Sequence, residues 1–152
     1  MFTTQQKFDL RRLYLDATVE ARRRGDRRVG SDHLLLALLA DPDSIAAHAL
    51  GVDLTTARGA LAELDRDALA SVGIETVVVD PVTTGWRRGR LPLGPSATAV
   101  FTGLRGQAKG QRMGIQHVLL LLLSRQRPDP AAELLDALGV DRPEVRRRLA
   151  DS

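Results

Sequence analysis

The chain has 152 residues, a formal net charge of +3, no cysteine and only 3% aromatic residues, which together indicate one compact domain with its own core. The absence of cysteine excludes disulfides, thiolate metal sites and a thiol nucleophile, and the low aromatic content argues against a base-stacking surface for single-stranded nucleic acid. The longest apolar run, residues 118–123, is far shorter than the ~20 residues of a membrane span, and the polar N-terminus does not resemble a signal peptide, so we expect a cytoplasmic protein without a membrane segment.

The first half of the chain predicts a series of helices from apolar spacing, capping residues and stop signals. Residues 5–24 form the first helix, which ends at Gly25 and carries apolar side chains on two sides, so we expect both sides to be covered. Ser31 is the predicted N-cap of the second helix, residues 32–40, and Asp32 adds negative charge at its positive end. The remaining predicted helices of this half are 44–50 and 54–64, the latter capped by Asp53, with a further turn or two at 67–72.

The second half repeats this order after a linker, residues 73–94. Within the linker, the β-branched residues 76–79 could form a short strand. The predicted helices that follow are 95–110, 115–124 and 130–138. Asp141 and Glu144 have the spacing of a capping box for a last helix.

Two sequence blocks occur twice in the same order. The block Gly-x-x-His followed by leucines begins at Gly30 and again at Gly114, an offset of 84 residues. The block Ala-Leu-Gly-Val-Asp occurs at 49–53 and again at 137–141. Such self-similarity predicts two similar helical units that pack together around a common core. The expected domain is 1–152, with repeat one at 1–72, the linker at 73–94 and repeat two at 95–152.

These repeated blocks resemble those of the Clp N-terminal (Clp repeat) domain family, whose members form the N-terminal domains of ClpC- and ClpA-type unfoldases. The resemblance covers nearly the whole chain. It implies an all-α fold of two four-helix units related by pseudo-twofold symmetry. It also implies a non-catalytic module that binds adaptor proteins, marked substrates or peptide ligands. Its partners would be delivered to a Clp-type unfoldase or sequestered from it. No Gly-x-x-x-x-Gly-Lys-(Ser/Thr) loop occurs in the chain, so we expect either a stand-alone relative or an excised domain, without the ATPase and without a cofactor. Of the two, we prefer a stand-alone double repeat.

The resemblance also implies candidate ligand-binding residues. In the ClpC branch each repeat can hold a phosphorylated arginine, whose guanidinium pairs with an acidic residue while a helix start receives the phosphoryl group. Ser31 and Asp32 stand at this place in the first copy. Gln116 is the matching candidate in the second copy, although neither it nor Ile115 supplies a charge or a hydroxyl. Phe2 matches a pocket that binds peptide antibiotics in some relatives.

Two kinds of enzyme or metal chemistry find little support in the sequence. The histidines at 33, 48 and 117 belong to no spacing typical of metal ligands, so no metal site is predicted. Ser31, Asp32 and His33 are adjacent on one helical turn, where consecutive side chains point about 100° apart, so they cannot align as a catalytic triad. We therefore expect no catalytic residues.

Runs of arginine leave nucleic-acid binding as the alternative function. These arginines lie at 22–24, 27–28, 87–88, 90 and 146–148, and together they could form a patch that contacts phosphates. The net charge is modest, however, and arginines that close a helix suit its negative end without any ligand. We therefore prefer protein partners to nucleic acid.

Overall fold

The computed structural model describes residues 9–73, 91–107 and 113–151, and these ranges contain eight α-helices and no β-sheet. Their bounds are α1 Leu10–Arg24, α2 Ser31–Leu38, α3 Ile45–Leu50, α4 Leu54–Ser71, α5 Pro95–Gln107, α6 Ile115–Leu123, α7 Pro130–Ala137 and α8 Arg142–Asp151. A single parallel β-bridge in these ranges joins Val29 to Leu93, just before α2 and α5. The predicted all-α class is confirmed.

Most helix pairs that pack together have a counterpart in which the two halves of the chain are exchanged. α1 packs on α2 as α5 packs on α6, and α4 packs on α7 as α3 packs on α8. Likewise α2 packs on α7 and α3 on α6, while α2 and α6 contact each other. Exchanging α1–α4 with α5–α8 therefore reproduces most of the helix pairs, in agreement with the predicted pseudo-twofold arrangement. The limits of the two repeats in the chain stay a prediction.

The two leucine-rich helices form the centre of the core. All eight residues of α2 are buried, and Leu34, Leu35 and Leu36 have no exposed surface. In α6, five side chains are buried, including Leu119 and Leu122. A helix that is apolar on every side is stable only when neighbours cover it all round, and here both halves supply those neighbours. The starts of α2 and α6 are thus fixed by the core.

The first helix buries one side rather than two. Leu13, Ala17 and Ala21 are buried, but Leu15 and Val19 remain 45% and 55% exposed. The predicted covering of a second side is therefore wrong for these two residues. The predicted stop is confirmed, because Gly25 has φ 76°, a left-handed conformation that favours glycine, and its amide donates to carbonyls of the last turn.

Two predicted helix details differ from the structure. α4 runs without a break through residues 65–67, because no proline or glycine interrupts it there. At the start of α8 the capping box is only half formed. Asp141 Oδ1 accepts the Glu144 amide at 3.2 Å, but the Glu144 carboxylate turns to Arg147 at 2.6 Å instead of the N-cap amide.

Some predicted features lie outside the described residues. These are the candidate Phe2, the start of the first predicted helix and the possible strand at 76–79. Within the described ranges, none of the helices combines the length and the apolar character needed to cross a membrane.

Candidate functional site

The start of each leucine-rich helix is capped by a histidine ring. The Gly30 amide donates to His33 Nδ1 at 2.8 Å, and the Gly114 amide donates to His117 Nδ1 at 2.9 Å. Because Nδ1 is the acceptor, the ring hydrogen sits on Nε2 when the imidazole is neutral. Gly30, not Ser31, is the N-cap residue of α2, so the predicted capping role of the Ser31 hydroxyl is wrong.

At both glycines, a side chain from two residues later folds back over the backbone. A Cβ atom at Gly30 would lie 2.6 Å from Asp32 Oδ1, and one at Gly114 would lie 2.3 Å from Gln116 Oε1. Carbon and oxygen atoms that are not bonded cannot approach so closely. The repeated glycine therefore leaves room for the candidate side chain two residues later, which lies across the helix start.

Asp32 lies in a charged cluster around the guanidinium of Arg24. Arg24 Nη1 is 3.2 Å from Asp32 Oδ2 and 3.1 Å from Asp26 Oδ2, and its Nη2 donates to Asp65. His33 Nε2 donates to Asp26 Oδ2 at 2.7 Å. Three carboxylates thus surround one guanidinium and one imidazole, and we call these five residues the Arg24 cluster. With His33 neutral, the cluster has more negative than positive charge.

The balance of burial and charge sets two pKa values in the Arg24 cluster. Burial acts to lower the pKa of Arg24, but the hydrogen bond to Asp65 and the three nearby carboxylates outweigh it, so this pKa is raised. Burial acts to raise the pKa of Asp26, but the hydrogen bond from His33 and the charge of Arg24 outweigh it, so this pKa is lowered. Both side chains are therefore charged at neutral pH.

Access to the Arg24 cluster is partial. The side chain of Asp32 is 11% exposed and that of Arg24 is 20% exposed, whereas those of Asp26 and Asp65 are 38% and 54% exposed. A ligand from solution can therefore reach the cluster from the side of Asp26 and Asp65. It would meet Asp32 already paired with a guanidinium of the chain itself.

The Ser31 hydroxyl has a different position from that of Asp32. Ser31 is fully buried, its Oγ donates to Asp129 Oδ1 at 2.6 Å, and the same Oγ accepts the Ala131 amide at 3.1 Å. The Ser31 amide donates to Ser96 Oγ at 2.9 Å. We call this set of contacts the Ser31 junction. Because it joins the starts of α2, α5 and α7, a ligand could reach the hydroxyl only if the two halves separated locally.

The second copy lacks the charges of the first. Gln116 is half-buried and lies over Gly114. At the offset of 84 residues, the positions that correspond to Arg24 and Asp26 hold alanine and glycine. The Arg24 cluster is therefore a property of the first half alone, although both halves have the same helix start.

Reasoning from the sequence missed most of the residues around Asp32. It singled out Asp32 but not Arg24, Asp26 or Asp65, whose pairing depends on how α1 and α4 pack. The signal that could have found part of the set is the sequence Arg24-Gly25-Asp26, because a glycine stop returns the chain toward the last turn of its own helix. In the described residues, no group of His, Asp or Glu side chains is arranged to hold a metal ion.

Three arginines of α8 bind backbone carbonyls of other parts of the fold. Arg142 Nη1 donates to the carbonyl of Arg125, just beyond the end of α6, at 2.8 Å. Arg146 Nη2 donates to the carbonyl of Leu123, the last residue of α6, at 3.2 Å. Arg148 Nη1 donates to the Ala49 carbonyl at 2.8 Å, near the end of α3. Positive side chains at these carbonyls stabilise the negative ends of helices. These contacts give no support to the nucleic-acid alternative.

Comparisons with known proteins agree with this architecture. The family model described as the Clp repeat (R) N-terminal domain matches residues 9–102. Among solved structures, the N-terminal domain of the caseinolytic protease associated chaperone ClpD from Arabidopsis thaliana is similar, with a TM-score of 0.63 and 18% identity over 96% of each chain. No curated protein sequence matches this chain. Because the family model covers more than half of the residues, the chain belongs to the Clp repeat N-terminal domain family.

Proposed function

We propose that this protein is a non-catalytic interaction module of the Clp proteolysis system and that it acts in the cytoplasm. In ClpC- and ClpA-type proteins, domains of this family are interaction modules. Its proposed partners are adaptors, arginine-phosphorylated substrates or peptide ligands. The module delivers these partners to a Clp unfoldase or sequesters them from it.

The observation that supports arginine-phosphorylated substrates is the Arg24 cluster. Asp32 already holds a guanidinium, that of Arg24, at 3.2 Å, so its carboxylate has the position and charge to pair with such a group. In the proposed exchange, the guanidinium of the ligand takes the place of Arg24 at Asp32. Arg24 then turns to the phosphoryl group, which needs a positive partner because the surrounding carboxylates repel it.

Titration calorimetry with free phosphoarginine tests this site. We expect Asp32→Ala and Arg24→Gln to bind at least about tenfold more weakly than the wild type, since each change removes one charged partner of the ligand. Asp67→Ala is the matched control, because Asp67 is an exposed carboxylate on α4 that lies outside the Arg24 cluster. Binding that is the same for wild type and Asp32→Ala would rule this site out.

The link to proteolysis needs a separate measurement. A purified ClpC-type unfoldase and its peptidase degrade an arginine-phosphorylated model substrate while the protein is added in increasing amounts. Faster degradation indicates delivery and slower degradation indicates sequestration, and either effect should be weaker with Asp32→Ala. An unchanged rate, together with no recovery of a Clp component or client in a pull-down from lysate, would contradict the proposed function.

A further inference from the structure

An open groove of about 470 Å³ lies between the first half of α1, the end of α2 and the start of α6. Its inner wall includes the buried side chains of Leu13 and Leu38 and the half-buried Ile115. This volume is in the range of pockets that bind small ligands or peptide side chains, about 300–1,000 Å³. The groove is separate from the Arg24 cluster, since they share no residue.

The groove lies at the place that corresponds to the Ser31 junction when the two halves are exchanged. The hydrogen bond between Ser31 and Asp129 has no equivalent there. Ile115 begins α6 as Ser31 begins α2, and Ser44 caps α3 as Asp129 caps α7. Ile115 has no hydroxyl to donate, and Ser44 Oγ turns inward to donate to the Leu38 carbonyl at 3.1 Å. The closed contact between Ser31 and Asp129 thus has an open counterpart, lined by Ile115 and Ser44.

The rim of this groove is acidic although the whole chain is basic. Asp9, Asp16 and Asp41 line it together with one arginine, Arg12, whose side chain is 74% exposed and lies 3.7 Å from Asp16. Asp9 and Asp41 each accept one nearby backbone amide at 2.9 Å, and a carboxylate can accept several hydrogen bonds, so both can still receive a donor from outside. The rim therefore attracts a cation, while the wall favours an apolar side chain.

We propose that this groove binds an extended segment of a partner protein in which an apolar side chain stands next to unmodified arginine or lysine. The apolar side chain packs on Leu38 and Ile115, and the basic side chain pairs with Asp16 and Asp41. This inference rests on the proposed interaction function and names a second, different peptide chemistry for it.

Fluorescence anisotropy with a labelled peptide, Gly-Ser-Leu-Arg-Leu-Arg-Ser-Gly, tests the groove. We expect binding by the wild type that weakens with added salt, and at least about fivefold weaker binding by Asp16→Lys and by Asp41→Lys. Asp67→Lys is the matched control, because it makes the same change of charge on α4 outside the groove. A peptide with both arginines replaced by glutamate should not bind. Circular dichroism checks that every variant is folded.

Several results would overturn this inference. Equal binding of the arginine and glutamate peptides, equal binding by wild type and Asp41→Lys, or no binding of the arginine peptide would each contradict it. A wild-type dimer that Asp41→Lys dissociates would show that a second copy of the chain is the occupant instead. Asp32→Ala separates the two sites, since it should keep its affinity for the arginine peptide. If only binding of the arginine peptide fails, the groove proposal is refuted and phosphoarginine recognition stands. If only phosphoarginine binding fails, the Arg24 cluster is refuted as a site and the groove proposal stands.

Discussion

The two histidine caps allow one half of the molecule to serve as the control for the other. His33 and His117 each accept the amide of a glycine N-cap, and both residues are buried, at 3% and 6% exposure. His33 also donates to Asp26 at 2.7 Å, whereas the corresponding position of the second half holds glycine, Gly110. We therefore expect His33→Ala to destabilise the protein more than His117→Ala.

The structure gives the size of this difference. Loss of a helix cap costs about 1 kcal/mol, and this loss, like the loss of packing, is similar at the two sites. A hydrogen bond to a charged group contributes about 1.5–3 kcal/mol when it is buried. Because the Asp26 side chain is 38% exposed, solvent weakens that bond, and we expect an excess loss of about 1 kcal/mol for His33→Ala.

Chemical and thermal unfolding measure this excess. The expected difference corresponds to about 2–4 °C in Tm for a domain of this size. In an Asp26→Ala background, the excess should vanish, because the bond that causes it is already absent. Equal losses for His33→Ala and His117→Ala in the wild-type background, or an excess that persists without Asp26, would refute the reasoning.

Three further predictions concern stability. Glu20 is 4% exposed and accepts two hydrogen bonds from Arg58, at 2.9 and 2.7 Å. Glu20→Gln should therefore lower the free energy of unfolding in urea by about 2 kcal/mol. The exposed control Glu63→Gln should lower it by less than about 0.5 kcal/mol. Equal costs would contradict this prediction. Ser31→Ala removes the hydroxyl of the Ser31 junction and should cost about 1–2 kcal/mol, and a stability equal to that of the wild type would show that the junction contributes nothing. The pKa of Asp26 is lowered from 3.8, so the stability it contributes is present above about pH 4 and is lost as the pH falls through the lowered pKa. Unfolding measured between pH 2 and 6 should show a weaker acid loss in Asp26→Asn, and an unchanged acid loss would contradict the assignment.

The helices and their ends could be predicted because their signals are local. Asp53 Oδ1 accepts the Thr56 amide at 2.7 Å, as its position before a helical pattern predicts. Gly25 and Gly51 both have positive φ and end α1 and α3. The repeated glycine and histidine predicted two similar helical units packed together, and the resemblance to the family added the pseudo-twofold arrangement.

The candidate site could be predicted only in part, because its partners are distant in sequence. Asp32 was identified through the resemblance to the family, but Asp65 is 41 residues from Arg24, and nothing in the local pattern connects them. Ser31 was assigned as an N-cap from its residue type, whereas the acceptor of the Gly30 amide is an imidazole three positions later. The occurrence of this histidine in both repeats was the available clue.

A helix start built from a backbone amide and an imidazole ring has a consequence for duplicated proteins. Serine and aspartate follow the glycine in one half, and isoleucine and glutamine follow it in the other, yet both helices begin in the same way. The cap uses only the glycine amide and the histidine ring, so the two residues between them can differ without changing how the helix begins. The two halves thus combine one kind of helix start with two different pairs of side chains.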